Sequence, residues 1–196
     1  MNIIVMPSAL KNVLDLKALI VLWGSGESGK SETLRMLAEK LCIDGKSPTI
    51  QNQITAFLNS KKDFRIIIEY KGLFVYLSTI GDTIEDTQKN AVFFDGELTS
   101  TTILICLSNN IVKIMKDHQD YLAQYNPSFC ISASRGDGRV PLPLDYYGHK
   151  MQIHTSSIIW LHKEKDIENT KYNAANKKCT EEIHDLIDRK IVGKII

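Results

Sequence analysis

Gly24, Gly26, Gly29, Lys30 and Ser31 fall within eight consecutive residues, Gly24-Ser25-Gly26-Glu27-Ser28-Gly29-Lys30-Ser31. The spacing is G-x-x-x-x-G-K-[ST], and the chemistry it suits is the holding of a polyphosphate. Gly24 and Gly29 can reach backbone angles that a Cβ makes costly, so that successive N–H groups converge on one anion. Lys30 is placed to reach the β- and γ-phosphates. The Ser31 hydroxyl is placed to ligate Mg²⁺, a hard ion that prefers oxygen.

Such a loop works only where a strand feeds a helix. Residues 18–23 are an apolar, β-branched run, and Leu34, Leu37, Ala38 and Leu41 follow the loop at spacings of three and four. The helix start adds unpaired N–H donors and the positive end of its dipole. With these flanks the stretch resembles the P-loop NTPases, and GSGESGKS is similar to the GAGESGKS loop of heterotrimeric G-protein α subunits. That resemblance spans eight residues and implies phosphate binding, while leaving the base unspecified. Glu32 departs from it, standing where many members carry a second hydroxyl residue. Its carboxylate is expected to face solvent or to serve the first helical turn, where negative charge is favourable.

A second candidate lies downstream. Residues 64–70 and 73–77 are β-rich runs joined by Lys71-Gly72, the signature of a hairpin. The second run leads into Ser78-Thr79-Ile80-Gly81-Asp82-Thr83. Small GTPases and G-protein α subunits have an antiparallel pair here that ends in D-T-x-G. This chain is similar in layout, but Ser78 holds the metal-facing position and the acid comes four residues later, at Asp82. No acid closes an apolar strand in the usual way: Glu69 ends RIIIE on the first hairpin strand and reads as exposed edge charge, and TTILICLS ends in Ser108. Asp82 is therefore the candidate to hold Mg²⁺ through water or to orient the attacking water.

The third candidate is R-G-D-G-R, Arg135 to Arg139, in a chain with five arginines. The spacing is similar to that of paired arginines in the lids of small nucleotide kinases, where guanidinium groups hold the transferring phosphoryl. Arg135, which directly follows a strand, joins Lys30 and Asp82 as a catalytic candidate. Guanine-specific GTPases carry N-K-x-D after a late strand. Here Ser134-Arg135-Gly136-Asp137 and His162-Lys163-Glu164-Lys165 are only fragments of it, so ATP is favoured over GTP. The five histidines show no metal-binding spacing.

Composition bounds the rest. A length of 196 residues suits one nucleotide-binding domain over 1–196, and 43% apolar with 24% charged residues is ordinary for a soluble protein. With 24 basic against 23 acidic residues there is no footprint of a general nucleic-acid binder. Cys42, Cys106, Cys130 and Cys179 form no C-x-x-C pair and read as buried small hydrophobes in a reducing cytoplasm. No apolar run is long enough for a membrane span, and residues 1–6 lack the basic start of a signal peptide.

The elements that must position these groups follow from periodicity. Residues 2–6 read as a short strand and 8–16 as a helical turn or two, before the 18–23 strand and the loop helix. Helices are expected at 49–59, 83–94, 111–125 and 173–191, the last with Cys179, Ile183, Leu186, Ile187 and Ile191 inward. Further strands are expected at 101–107, 129–133 and 155–161. The expectation is an α/β three-layer fold: a mainly parallel sheet, one antiparallel hairpin strand at its edge, and helices on both faces. Function narrows to Mg²⁺-dependent ATP binding with slow hydrolysis, in a switch or regulatory role exerted through a protein partner. The alternatives are a small nucleotide-kinase-like phosphotransferase using an arginine lid, and a divergent GTPase.

Overall fold

The computed structural model describes residues 18–60, 63–79, 103–107, 112–115, 128–135, 158–163 and 169–192. Seven strands form one sheet: β1 (Ala18–Gly24), β2 (Arg65–Tyr70), β3 (Leu73–Ser78), β4 (Ile103–Cys106), β5 (Val112–Met115), β6 (Phe129–Arg135) and β7 (Ile158–His162). Among the described residues three helices accompany them: α1 (Lys30–Ile43), α2 (Pro48–Ser60) and α3 (Asn169–Ile191). The strand order is β5-β4-β2-β3-β6-β1-β7, which places β1 inside the sheet between β6 and β7.

Direction matters more than order for the site. β1, β6, β7 and β3 run parallel, so their carboxyl ends share the end of the sheet where β1 enters the loop. β2 runs against β3, β4 runs with β2, and β5 turns back against β4. The sheet is thus mixed and mostly parallel, with two antiparallel pairs. The hairpin strand is not at the edge as expected: β2 is interior, flanked by β3 and β4. An apolar strand such as Ile66-Ile67-Ile68, buried on both faces, gains more from two neighbours than from one.

The hairpin turn forms as its sequence dictates, with Lys71 at φ 50° and Gly72 at φ 77°. Two consecutive positive φ values match the twist of the flanking strands. Residues 112–115 correct the helix expected over 111–125. Val112-Lys113-Ile114-Met115 alternates and contains β-branched residues, and it pairs in register with β4, so tertiary pairing overrides the helical spacing. The expected elements at 2–6, 8–16 and 83–94, and the remainder of 111–125, lie outside the described residues.

All three described helices pack on one face of the sheet. Ala18, Ile20 and Leu22 of β1 share a buried cluster with Leu34, Leu37 and Leu41 of α1, Ile54 and Leu58 of α2, and Ile183 and Ile187 of α3. Cys179, Leu186 and Ile191 pack against that cluster as partly buried neighbours. The alternate positions Val21, Ile67, Tyr76 and Cys130 are also buried, on the opposite face.

Candidate functional site

The loop between β1 and α1 is bent by two residues with positive φ, Glu27 at 59° and Gly29 at 88°. Gly29 is the cap residue of α1 in the left-handed region, and no side chain caps the first turn. The first-turn N–H groups therefore keep their donors for something other than a capping side chain. Glu27 holds an angle that costs a residue with a Cβ about 1–2 kcal/mol, strain of the kind found at ligand-binding turns.

Gly24 is glycine for a different reason from the one its sequence position suggests. Its φ is not positive; it is short of space. A Cβ there would lie 2.2 Å from the Lys163 carbonyl oxygen and 3.0 Å from Ser28 Oγ. The Lys163 N–H donates to the Trp23 carbonyl at 2.7 Å, so the chain leaving β7 is pressed against the start of the loop. Lys163 is itself buried.

Lys30 is 6% exposed, and its ammonium turns back into the loop. Nζ donates to the Gly24 carbonyl at 3.0 Å, the Ser25 carbonyl at 2.7 Å and Ser28 Oγ at 3.5 Å. A buried cation satisfied by loop carbonyls is placed to exchange them for an anion's oxygens. Ser31 sits half-exposed in the first turn of α1. Glu32 sits in the first turn of α1 with its side chain partly exposed and forms an ion pair with Arg35, whose Nε donates to the Leu58 carbonyl at 3.1 Å and ties α1 to α2.

α1 is held from its other side by residues that its own periodicity does not reveal. Thr33 Oγ1 donates to Asn176 Oδ1 at 3.3 Å, and Thr180 Oγ1 bridges the Thr33 carbonyl at 3.1 Å and the Asn176 carbonyl at 2.9 Å. Asn176, Thr180 and Thr33 are all buried polar groups. Polar residues at core spacing on α3 were the available signal.

The other predicted residues divide by strand direction. Arg135 ends β6, and its backbone pairs opposite Gly24, the first loop glycine. Both fragments of the base-reading motif begin at strands flanking β1, since His162 pairs opposite Trp23. Ser78 ends β3 on the loop side, although β6 intervenes between β3 and β1. Thr79 is committed to structure: its hydroxyl accepts the Phe64 N–H at 2.8 Å and donates toward Asp63 Oδ1 at 3.3 Å. Asp82 and Arg139 lie outside the described residues.

Glu69 is excluded from this end of the sheet. It pairs with Phe74 near the hairpin turn, four residues from Arg65, which is about 13 Å along the strand. It is half-buried on an interior strand, not exposed at an edge. The β4 carboxyl end likewise points away from the loop, where the Leu107 carbonyl accepts from Lys46 near the end of α1.

A groove of about 720 Å³ also lies at that far end, lined by Met36, Glu39, Tyr70, Lys71, His184 and Asp188 among others. Its floor is a structural network. Tyr70 Oη donates to Asp188 Oδ1 at 3.1 Å, and Lys71 Nζ donates to both Asp188 oxygens at 2.8 Å. The groove ties the hairpin to α3 and takes no part in the loop's chemistry.

All four cysteines are free thiols, and burial pushes Cys42 and Cys130 well up, which keeps them protonated. Burial likewise pushes the Tyr76 phenol up to about 12. Among the described residues no cluster of His, Cys, Asp or Glu could hold a metal, and no helix is long and apolar enough to cross a membrane. Compared with known family models, curated proteins and solved structures, the chain shows no significant match to any.

Proposed function

We propose that the chain binds a nucleoside triphosphate with Mg²⁺ in the loop Gly24–Ser31, ATP ahead of GTP, and hydrolyses it slowly in a switch or regulatory role. The observation that carries this reading is the loop's own arrangement. A left-handed Gly29 opens an uncapped helix, and a buried Lys30 ammonium rests on the Gly24 and Ser25 carbonyls. Donors and cation converge from one turn, which is what a polyphosphate requires.

In this reading Gly24, Ser25, Gly26, Glu27, Ser28 and Gly29 supply the backbone cradle. Lys30 leaves the carbonyls for the phosphate oxygens. The Ser31 hydroxyl and Asp82 are the metal-facing groups, and the ion they hold would neutralise charge on the transferring phosphoryl. Absence of a complete N-K-x-D at either strand flanking β1 favours adenine over guanine. One observation favours the phosphotransferase alternative: Arg135 ends the strand beside the loop, level with Gly24.

The test is calorimetric titration of wild-type protein and Lys30→Ala with ATP and GTP in Mg²⁺, with folding checked by circular dichroism. The variant is expected to fold and to lose triphosphate affinity by ten-fold or more, about 1.4 kcal/mol per decade. Unchanged affinity for both nucleotides would overturn the nucleotide reading.

A further inference from the structure

We propose that Trp23 and His162 form a stacking platform for the nucleobase of the bound nucleotide, a proposal that rests on the nucleotide reading of the adjoining loop. Trp23 is the residue immediately before Gly24, and His162 is its register partner on β7. Their rings lie 4.3 Å apart between centroids and are inclined by 37°. His162 is exposed and Trp23 is half-buried, so the pair stands at the solvent boundary rather than inside the sheet.

Its position is fixed relative to the phosphate loop. The Lys163 N–H binds the Trp23 carbonyl at 2.7 Å, and the Lys163 carbonyl fills the space where Gly24 lacks a Cβ. The end of β7 therefore cannot move without moving the start of the loop. His162 is one strand over from β1, about 5 Å away, within reach of a nucleoside whose phosphates occupy the loop. Nor is the pair needed for the main core, which lies on the other face of β1 with Leu22.

Stacking is also the mode of base binding that fits this chain's sequence. Every base has a π-face, so a ring platform holds a base without reading its hydrogen-bonding edge. That agrees with strand ends that carry only fragments of a guanine-reading motif.

The experiment measures Mg²⁺-dependent binding of two ligands, ATP and inorganic tripolyphosphate, to wild-type protein, His162→Ala and His162→Phe. Tripolyphosphate occupies the loop but has no base. Expected are tighter binding of ATP than of tripolyphosphate to the wild type, and a loss of about ten-fold in ATP affinity in His162→Ala, with tripolyphosphate affinity unchanged and His162→Phe restoring ATP. If His162→Ala binds ATP normally, or loses both ligands equally, the platform is refuted: the pair then merely steadies β7 or shapes the loop. In either case the nucleotide reading survives. If the wild type binds neither ligand, that reading fails and takes the platform with it.

Discussion

Gly24→Ala is the most informative single change, because the structure gives it a cost that the motif alone does not. The new Cβ would sit 2.2 Å from the Lys163 carbonyl oxygen, a backbone atom with no flexible end to swing away. Relief requires a backbone shift of about 1 Å, since overlaps of this kind open only to ordinary contact. If β7 yields, the bond from the Lys163 N–H to the Trp23 carbonyl at 2.7 Å is stretched or lost. Overpacking costs about 1–3 kcal/mol and a lost hydrogen bond about 1, which sums to about 2–4 kcal/mol. If β1 yields instead, the Gly24 carbonyl that holds Lys30 moves, and with it the mouth of the loop. Gly45→Ala is the control: its φ is +71° but nothing lies within 4 Å. That change should cost only the left-handed strain, about 1 kcal/mol, with no effect on ligand. Urea unfolding and ATP titration of both variants separate the two mechanisms. Gly24→Ala is expected to lose 2–4 kcal/mol by this reckoning and at least ten-fold in ATP affinity. Stability within about 0.5 kcal/mol of wild type, with normal affinity, would refute the argument.

Three further outcomes are expected. Asp82→Asn should reduce Mg²⁺-dependent turnover more than ATP binding, as measured by a coupled assay for ADP release across a Mg²⁺ series. Full turnover would exclude Asp82 as the metal-facing acid. Arg135→Ala should lower turnover ten-fold or more, about 1.4 kcal/mol of barrier, with ATP affinity little changed; a normal rate would remove the phosphotransferase alternative. Finally, the buried Tyr76 phenol, raised to about 12, keeps its proton in the folded state after the unfolded chain has released it near pH 10. Its contribution is complete below pH 10 and is lost as pH rises toward 12, at up to about 1.4 kcal/mol per pH unit. Tyr76→Phe should flatten the alkaline fall in urea-unfolding stability; an identical slope would place the proton uptake elsewhere, first at the buried thiols.

What could be read from sequence was what is local. β1, the loop and α1 are contiguous, and the hairpin announces itself through Lys71-Gly72, whose backbone angles only a tight turn uses. The reason for Gly24, by contrast, is the Lys163 carbonyl, and the polar hold on α1 joins Thr33 to Asn176 across 143 positions. No period of three or four residues encodes such contacts. Strand order was equally hidden. The isoleucine run of β2 favours an interior place, but nothing local in it names β4 as the second neighbour.

That same topology narrows the search for the missing acid. An acid beside the loop would come from the carboxyl ends of β3, β6 or β7, or from the amino ends of β2 or β4; the carboxyl end of β5 shares that end of the sheet but lies five strands from β1. Glu69 fails on direction. Glu32 is engaged by Arg35. Asp63 does stand at the loop end, just before β2, but its Oδ1 accepts from Thr79, and two strands separate β2 from β1. At about 4.8 Å per strand that is some 14 Å, too far for direct ligation of an ion held at Ser31. Asp82 is four residues on from Ser78, the end of β3, which lies one strand nearer to β1 than β2 does. If Asp82→Asn turned over ATP normally, the metal-facing acid would lie elsewhere: among the described carboxylates only Glu27 stands on the loop itself, and Asp137, Glu164 and Asp166 follow the two strands that flank β1. A protein that bound ATP but released no ADP would instead contract the reading to a nucleotide-binding switch, whose output is the conformation of the loop rather than the chemistry of the phosphate.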